Sequence, residues 1–232
     1  MKAIILSAGR GERLKPLTNF HPKPLIEVRG RPLIVWHIMN LVNSGITEII
    51  INHSYLGNMI EDLIGNGNKF GANIIYSAEK KALETGGGII KAKGFLNKEP
   101  FVAIAADIFC PSFNFNEVKN VLQEKDIWGK KIAKNKKDLA WLYMVKNPEH
   151  NPLGDFALKS YSISYEGSPR LTFSGIGVYR PEIFENTKSG TIIKLSEILK
   201  TFIKSGRVGG EIFHGLWKDI GTIERLNEIN KK

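Results

Sequence analysis

The chain has 232 residues, of which 42% are hydrophobic and 24% are charged, and its formal net charge is +10. A chain of this length and composition can bury a sizeable core as one globular domain, and its single cysteine, Cys110, excludes an internal disulfide framework. The positive charge favours an anionic partner, but no aromatic-interleaved basic helix accompanies it, so we do not expect that partner to be a nucleic acid.

Neither a leader sequence nor a membrane span is expected. The apolar run after Met1 is short and is followed by arginines and an acid, unlike a secretory signal. No run approaches the roughly 20 apolar residues that a spanning helix needs. We therefore expect a cytoplasmic protein with no membrane partner, and we interpret Cys110 as an apolar filler beside a strand end.

In the first half of the chain, apolar runs alternate with segments of helical periodicity. Strands are predicted where both faces of a run are apolar, and helices where apolar residues recur every three or four positions. The predicted strands are 2–7, 47–54, 72–79 and 100–109, and the predicted helices are 32–44, 56–67 and 86–96. This alternation is typical of a doubly wound α/β fold with a mostly parallel, Rossmann-like sheet.

The pattern changes after Pro111. A helix is predicted over 115–128, a strand over 139–146, several short alternating strands over 155–180 and an amphipathic helix over 195–206. A small β-rich elaboration of the sheet is therefore expected in the second half. The basic segment 129–138 is predicted to be an exposed loop or helix end.

The loop after the first predicted strand is rich in glycine and in cationic side chains. Residues 6–25 read LSAGRGERLKPLTNFHPKPL and include Arg13 and Lys23. The third glycine of a dinucleotide-binding loop is missing, since Leu14 stands in its place, and Pro16 interrupts any helix there. Backbone N–H groups and cations in such a loop suit a triphosphate. The sequence thus favours phosphate binding and disfavours a dehydrogenase.

Two further informative segments follow predicted strands. The segment ALETGGG, residues 82–88, follows the third strand, and Asp107 ends the fourth. In an open parallel sheet, ligands bind outside the carboxyl ends of the strands, so both segments and the glycine loop are predicted to converge on one pocket. A lone aspartate at a strand end is also a common turn former, which is the alternative for Asp107.

The stretch LSAGRGERLKPLT followed by PKPL resembles the signature of the sugar-1-phosphate nucleotidyltransferases, and the similarity continues through ETGGG, LTFSGIGVY and HGLWKDIGT. The resemblance implies a single domain, 1–232, with a nucleotide-binding half, 1–110, and a sugar-binding half, 111–232. It also implies that a sugar-1-phosphate attacks the α-phosphorus of a nucleoside triphosphate and expels pyrophosphate. Because that nucleophile is already ionised, the expected tasks are positioning and charge neutralisation.

Matching the family's motifs assigns roles to individual residues. The resemblance implies that Arg13, Lys23 and Asp107 are catalytic residues. It also implies that Asp107 and Asp219 bind Mg²⁺. The nucleotide-binding residues that it implies are Ala8, Gly9, Gly11, Arg13, Lys23, Glu79 and Gly86. The sugar-binding residues that it implies are Gly154, Asp155 and Ser174, for which turn formation is the alternative. Lys194 is placed to reach the sugar phosphate.

Two of these positions carry explicit alternatives. Glu79 stands where relatives often have glutamine, and an acceptor there suits the N3–H of uracil or thymine, but Glu79 also fits an exposed charge in a lysine-containing loop. Gly86 lets the backbone approach the base or ribose, or else belongs to a flexible glycine hinge.

Within the family, we expect UTP and N-acetylmuramic acid 1-phosphate as substrates, and a monomer or small homo-oligomer. Glucose- or mannose-1-phosphate with dTTP, UTP or GTP is the alternative, although the E-K-P segment of several such relatives is missing. Ala105 and Ala106 depart from the family, since Ala106 replaces a glycine just before Asp107. That departure motivates a third hypothesis, a nucleotide-sugar sensor without turnover.

Overall fold

The computed structural model describes residues 1–119, 121–122 and 138–231. Thirteen strands and six α-helices lie within these ranges. Of the basic segment 129–138, all but Asp138 falls outside the described residues, as does part of the helix predicted over 115–128. No helix in the described ranges has the length and apolarity needed to cross a lipid bilayer.

Several strands are only two or three residues long. The strands are β1 (Ala3–Leu6), β2 (Glu27–Val28), β3 (Arg31–Pro32), β4 (Glu48–His53), β5 (Asn73–Ala78), β6 (Phe101–Ala105), β7 (Ile108–Phe109), β8 (Ala140–Val145), β9 (Phe156–Lys159), β10 (Ser162–Ser164), β11 (Arg170–Tyr179), β12 (Val208–Ile212) and β13 (Lys218–Asp219). The helices are α1 (Leu33–Asn43), α2 (Gly57–Ile64), α3 (Glu84–Ala92), α4 (Phe115–Val118), α5 (Leu195–Lys204) and α6 (Ile223–Asn230).

The first half of the chain forms a parallel sheet with helices on both faces. Its strands lie in the order β5, β4, β1, β6, and Ile5 pairs with Ile51 on one side and Ile104 on the other. Ile5 packs in the cluster that contains residues of α1 and α2, whereas its neighbour Ile4 packs with α3 and α5. Because alternate side chains of a strand point to opposite faces, both faces of β1 are covered. The predicted doubly wound α/β fold is confirmed.

Beyond β6 the same sheet continues with mixed strand directions. Its order is β6, β11, β8, β12, β10, β9, and β11 runs antiparallel to β6, β8 and β9. Antiparallel neighbours can be joined by turns, whereas parallel ones need a crossover. The short strands of the second half are joined largely by turns, so the parallel pattern of the first half does not persist there.

The C-terminal segment returns to the N-terminal loop. β13 pairs with β7 in a separate two-stranded sheet, so that Asp219 lies opposite Ile108. A hydrophobic cluster then joins Leu226 of α6 to Leu14 of the glycine loop and to Phe109. Burial of these apolar side chains stabilises the packing of α6 against the glycine loop. This packing places the DIGT segment beside Asp107.

Candidate active site

A cavity of about 470 Å³ lies at the carboxyl ends of the parallel strands. Residues of the glycine loop, the end of β4, the start of α3 and the end of β6 line it. Six of the predicted site residues are in this lining: Ala8, Gly9, Gly11, Arg13, Lys23 and Asp107. The structure therefore brings together the glycine loop and the aspartate that follows β6.

The glycine loop folds back on itself around Gly11. Gly11 has a φ of +67°, and a Cβ there would lie 2.9 Å from Thr18 Cγ2 and 3.2 Å from Lys23 Cβ. The Thr18 hydroxyl donates a hydrogen bond of 2.9 Å to the Gly11 carbonyl. A glycine is needed here because the conformation is left-handed and the two branches of the loop touch.

Lys23 and Asp107 form an ion pair at the floor of the cavity. Lys23 Nζ lies 2.7 Å from Asp107 Oδ2, and the two side chains are 11% and 42% exposed. Prolines at positions 22 and 24 flank the lysine, as the sequence prediction required. The guanidinium of Arg13, by contrast, has no ion-pair or hydrogen-bond partner among the described residues and is exposed. Arg10 also lines the cavity and is paired with Glu12, so the described residues of the cavity offer two paired cations and one unpaired cation to an anionic ligand.

Asp219 lies on β13 beside this cavity, although its side chain is not part of the lining. The Ile220 N–H donates a hydrogen bond of 2.7 Å to the Asp107 carbonyl, and Gly221 lines the cavity. Arg225 donates a hydrogen bond to Asp219 Oδ2. His150 Nε2 lies 3.0 Å from Oδ1 but outside hydrogen-bonding geometry, so Oδ1 is buried without a donor among the described residues.

The two aspartates fit a magnesium site. Mg²⁺ takes oxygen ligands, usually one or two protein carboxylates together with water and substrate phosphates. Neither Asp107 Oδ1 nor Asp219 Oδ1 accepts a hydrogen bond from a described residue. Asp219 Oδ1 is buried, and a buried carboxylate oxygen without a donor is costly unless a cation meets it, whereas the Asp107 side chain is 42% exposed and accessible to a ligand. The described residues contain no group of three or more acidic, histidine or cysteine side chains that would form a closed metal site.

Glu79 is buried, with 5% exposure, and it is not in the cavity lining. Its Oε1 accepts a hydrogen bond of 2.6 Å from Asn52 Nδ2, and its Oε2 accepts one of 2.8 Å from the Leu83 N–H. The alternative of an exposed loop charge is therefore wrong. The cavity is lined at this point by Asn52, which the sequence reasoning did not select.

The three glycines of ETGGG lie within α3 and are buried, so they do not form a hinge. The N–H groups of Gly86 and Gly87 donate to the Ile193 carbonyl, each at 3.0 Å. A Cβ on Gly86 would lie 2.7 Å from Ile198 Cδ1, and one on Gly87 would lie 2.3 Å from the Thr191 carbonyl oxygen. These glycines let the segment before α5 dock against α3, and Gly86 is not in the cavity lining.

A second cavity of about 380 Å³ adjoins the first and shares Leu6, Glu84, Thr85 and Ala105 with it. Asp155 lines this cavity, and its carboxylate accepts hydrogen bonds from the Phe173 N–H at 2.8 Å and from the Asn151 amide at 3.1 Å.

Lys194 also lines the second cavity; it is exposed, and its ammonium has no partner among the described residues. The buried Tyr179 hydroxyl, which the sequence did not indicate, belongs to the same lining and likewise lacks a described partner.

Gly154 and Ser174 are placed outside both linings. Ser174 is fully buried, its hydroxyl accepts a hydrogen bond of 3.1 Å from the Ile176 N–H, and its carbonyl accepts one of 2.8 Å from Trp217 Nε1. Gly154 has a φ of +63° beside Asn147. The structure gives these two residues turn and packing contacts and does not bring the Ser174 side chain to a cavity.

Two buried titratable side chains lie behind the site. His37 on α1 is 3% exposed, and burial lowers its pKa to about 4, so the imidazole is neutral near pH 7. Cys110 is 3% exposed, and burial raises the pKa of its thiol to about 12. A buried protonated thiol is a poor nucleophile, so Cys110 fits the apolar filler expected from the sequence.

The family model that matches this chain, and two curated relatives that resemble it, are those of nucleotidyltransferases. Residues 2–232 match the model of a family described as nucleotidyl transferase. An N-acetylmuramate α-1-phosphate uridylyltransferase of Neisseria meningitidis is 44% identical over 98% of this chain and 96% of its own length. A mannose-1-phosphate guanyltransferase of Saccharomyces cerevisiae is 38% identical over the whole of this chain, which spans 66% of that relative.

The fold is also found among solved structures. A protein of Bacillus anthracis assigned as a glucose-1-phosphate thymidylyltransferase, crystallised with sucrose, superposes with a TM-score of 0.82. The alignment covers 100% of this chain and 94% of that one, at 22% sequence identity. At this identity the likeness supports the fold alone.

Proposed function

Because the chain belongs to the nucleotidyl transferase family, we propose that it transfers a uridylyl group from UTP to N-acetylmuramic acid 1-phosphate and releases pyrophosphate. The observation that carries the proposal is the meeting of Lys23 with Asp107 in a cavity walled by glycine-loop residues, although 84 positions separate them in sequence. In this proposal, residues 1–110 form the nucleotide-binding half and residues 111–232 the sugar-binding half of a single domain.

In the first cavity, the chain's own groups hold the triphosphate. The glycine-loop residues and the unpaired Arg13 bind phosphate oxygens, because the loop backbone approaches closely at Gly11 and the guanidinium has no protein partner to lose. Lys23 exchanges the Asp107 carboxylate for a phosphate oxygen when nucleotide binds. Each of these contacts neutralises charge on the triphosphate. Without them, repulsion between the triphosphate and the anionic sugar phosphate would oppose the reaction.

Asp107 and Asp219 would hold Mg²⁺, each through the oxygen that lacks a donor. A metal ion held there would neutralise phosphate charge during the transfer. The hydrogen bond from Arg225 to Oδ2 orients the Asp219 carboxylate beside the cavity. We propose Mg²⁺ because two carboxylates that leave coordination positions open for phosphate oxygens suit that ion.

In the second cavity, the sugar-1-phosphate lies with its phosphate toward the shared wall of Thr85 and Ala105. Lys194 is the cation that meets this phosphate. Asp155, already oriented by Phe173 and Asn151, accepts hydrogen bonds from sugar hydroxyls. The sugar phosphate is ionised at neutral pH, so the chain needs no general base and acts by holding the two anions in line.

The sugar assignment rests on the Neisseria relative, which covers nearly the same length as this chain. N-acetylmuramic acid is a cell-wall sugar, so we place the reaction in peptidoglycan recycling. We place it in the cytoplasm, where nucleoside triphosphates are available.

The test is a grid of UTP, dTTP, CTP and GTP against N-acetylmuramic acid 1-phosphate, glucose-1-phosphate and mannose-1-phosphate, read by pyrophosphate release. We expect the highest kcat/KM for UTP with N-acetylmuramic acid 1-phosphate, and no release when Mg²⁺ or either substrate is omitted. A higher value for another pair would reassign the substrates. Nucleotide binding with no pyrophosphate from any pair would identify a sensor and end the proposal.

A further inference from the structure

We propose that Asn52 donates a hydrogen bond to a carbonyl oxygen of the nucleotide base, and that Glu79 is the positioning residue that fixes Asn52 for this contact. The proposal rests on the proposed function, because it takes the first cavity as the nucleotide site. It differs from the sequence-based hypothesis, in which the Glu79 carboxylate itself contacts the base.

The orientation of the Asn52 amide is fixed by its neighbours. Oδ1 accepts a hydrogen bond of 2.8 Å from the Ser7 N–H, and Nδ2 donates one of 2.6 Å to Glu79 Oε1. A backbone N–H only donates and a carboxylate only accepts, so turning the amide over would place like groups against each other at both ends. Oε2 of Glu79 is held in turn by the Leu83 N–H at 2.8 Å.

One N–H of Asn52 is left without an acceptor. Nδ2 carries two hydrogens, and the described residues accept only the one directed at Glu79. Asn52 is 2% exposed, yet it belongs to the lining of the first cavity. A buried donor that is unpaired in the free protein gains most when a ligand supplies the acceptor.

The acceptor is a neutral carbonyl. Nδ2 lies 2.6 Å from the Glu79 carboxylate, and a phosphate oxygen bound to its second hydrogen would lie within roughly 5 Å of that charge, where like charges repel. The phosphates are instead bound by cations of the cavity such as Arg13 and Lys23. Uracil, thymine and guanine all carry base carbonyls, whereas adenine carries none.

The network leaves no space for a side chain at Gly88. A Cβ there would lie 2.4 Å from Asn52 Nδ2 and 2.9 Å from Glu79 Oε1. The last glycine of ETGGG therefore lets α3 pack directly over the hydrogen bond between these two residues. Three strand ends, those of β1, β4 and β5, are joined through this one amide and carboxylate.

Exchanging the amide of Asn52 and the carboxylate of Glu79 distinguishes a role in stabilising the fold from a role in binding the base. In the double variant Asn52→Asp/Glu79→Gln, Asp accepts from Ser7 and from the Gln amide, and the Gln carbonyl accepts from Leu83, so every internal hydrogen bond has a counterpart. Only the group that faces the ligand changes, from a donor to a charged acceptor. Each single variant, in contrast, breaks one internal bond.

The experiment measures the melting temperature and the Kd by calorimetry for the wild type, both single variants and the double variant. The nucleotide is the one among UTP, dTTP and GTP that the wild type binds best, with ATP as the comparison. We expect lower melting temperatures in both single variants and recovery to near the wild-type value in the double variant. Its Kd for the preferred nucleotide should still be raised at least tenfold, with that for ATP unchanged within twofold.

A wild-type Kd in the recovered double variant would show that Asn52 does not contact the base. A double variant that melts no higher than the singles would overturn the positioning by Glu79. Pyrophosphate release by the wild type is recorded separately: its absence would contradict the proposed transfer reaction, while the binding results would still decide the role of Asn52.

Discussion

The two adjoining cavities differ in how their charges are satisfied. In the first, Arg13 has no described partner, and Lys23 is paired only with Asp107, which is itself 42% exposed. In the second, Asp155 already accepts two hydrogen bonds from its own half of the chain. The first cavity can therefore form strong contacts with an anionic ligand through Arg13 and Lys23. In the second cavity, the Asp155 carboxylate is already held in one orientation before any ligand binds. We expect changes in the first cavity to affect turnover and changes in the second to affect sugar affinity.

The largest effect is expected for Asp107→Asn, which removes the charge from a proposed metal ligand and leaves Lys23 unpaired. Pyrophosphate release should fall by about 10³-fold, or about 4 kcal/mol in the barrier. Asp62→Asn, an exposed acid away from both cavities, is the matched control and should keep full activity. Turnover above a tenth of the wild-type rate would remove Asp107 from the mechanism.

Arg13→Ala is expected to reduce kcat/KM for the triphosphate by about 10²-fold, because one charge-assisted contact is lost in a partly enclosed site. Its melting temperature should not change, since the exposed guanidinium forms no hydrogen bond or ion pair with a described residue. Lys98→Ala, another exposed cation, controls for the loss of net charge. Equal effects in the two variants would mean that Arg13 acts only through the overall positive field.

Gly88→Ala tests the packing of α3 over Asn52. Alanine is normally favoured over glycine inside a helix, yet here we expect a loss of about 2 kcal/mol in unfolding free energy, because the methyl group displaces a buried hydrogen bond. Gly94→Ala has open space around the added Cβ and should change stability by less than about 0.5 kcal/mol. Urea unfolding measures both variants, and similar values for the two would contradict the close contact.

Lys194→Met tests the second cavity. We expect KM for the sugar-1-phosphate to rise about tenfold, or about 1.4 kcal/mol, with kcat changed less than threefold and KM for the nucleotide unchanged. Lys200→Met is the control, because Lys200 is also exposed and lies on α5, the helix that Lys194 precedes. A loss in kcat as large as that of Asp107→Asn would erase the distinction between the cavities.

The smallest effect is expected for Ala106→Gly. Ala106 is buried and has no positive φ, so its position does not require glycine, and the methyl group packs in the core. Steady-state kinetics should give a kcat within about threefold of the wild type, because Ala106 lines the first cavity but its substitution removes only a methyl group and no polar contact. A tenfold gain would instead mean that Ala106 holds turnover back, as the sensor hypothesis requires.

Local motifs made the first cavity predictable. The glycine loop and Asp107 each follow an apolar strand, and the rule that parallel strands bring their carboxyl ends together was sufficient to place Lys23 near Asp107. Asn52 also ends such a strand, directly after three isoleucines, and its position was the signal that sequence reasoning overlooked. Glu79 lies behind Asn52 and outside the cavity lining, and its burial could not be predicted from a loop containing two lysines; its direct contact with the nucleotide stays a prediction.

Contacts between residues far apart in the chain could not be predicted from the sequence. The contacts of Gly86 and Gly87 come from residues 191–198, about a hundred positions away, so a glycine triplet alone could not distinguish helix packing from ligand approach. The strand order of the second half was equally inaccessible, because short alternating strands joined by turns are compatible with several pairings. The burial of Ser174 follows from that pairing.

Oxygen labelling tests whether a phosphate oxygen of the sugar-1-phosphate becomes bonded to the α-phosphorus of UTP, as the proposed reaction requires. Sugar-1-phosphate carrying ¹⁸O on its three non-bridging phosphate oxygens is incubated with UTP, Mg²⁺ and the protein, and both products are analysed by mass spectrometry. We expect the nucleotide-sugar to retain all three labelled oxygens and the pyrophosphate to carry none. Labelled pyrophosphate, or pyrophosphate formed together with UMP and no nucleotide-sugar, would contradict it.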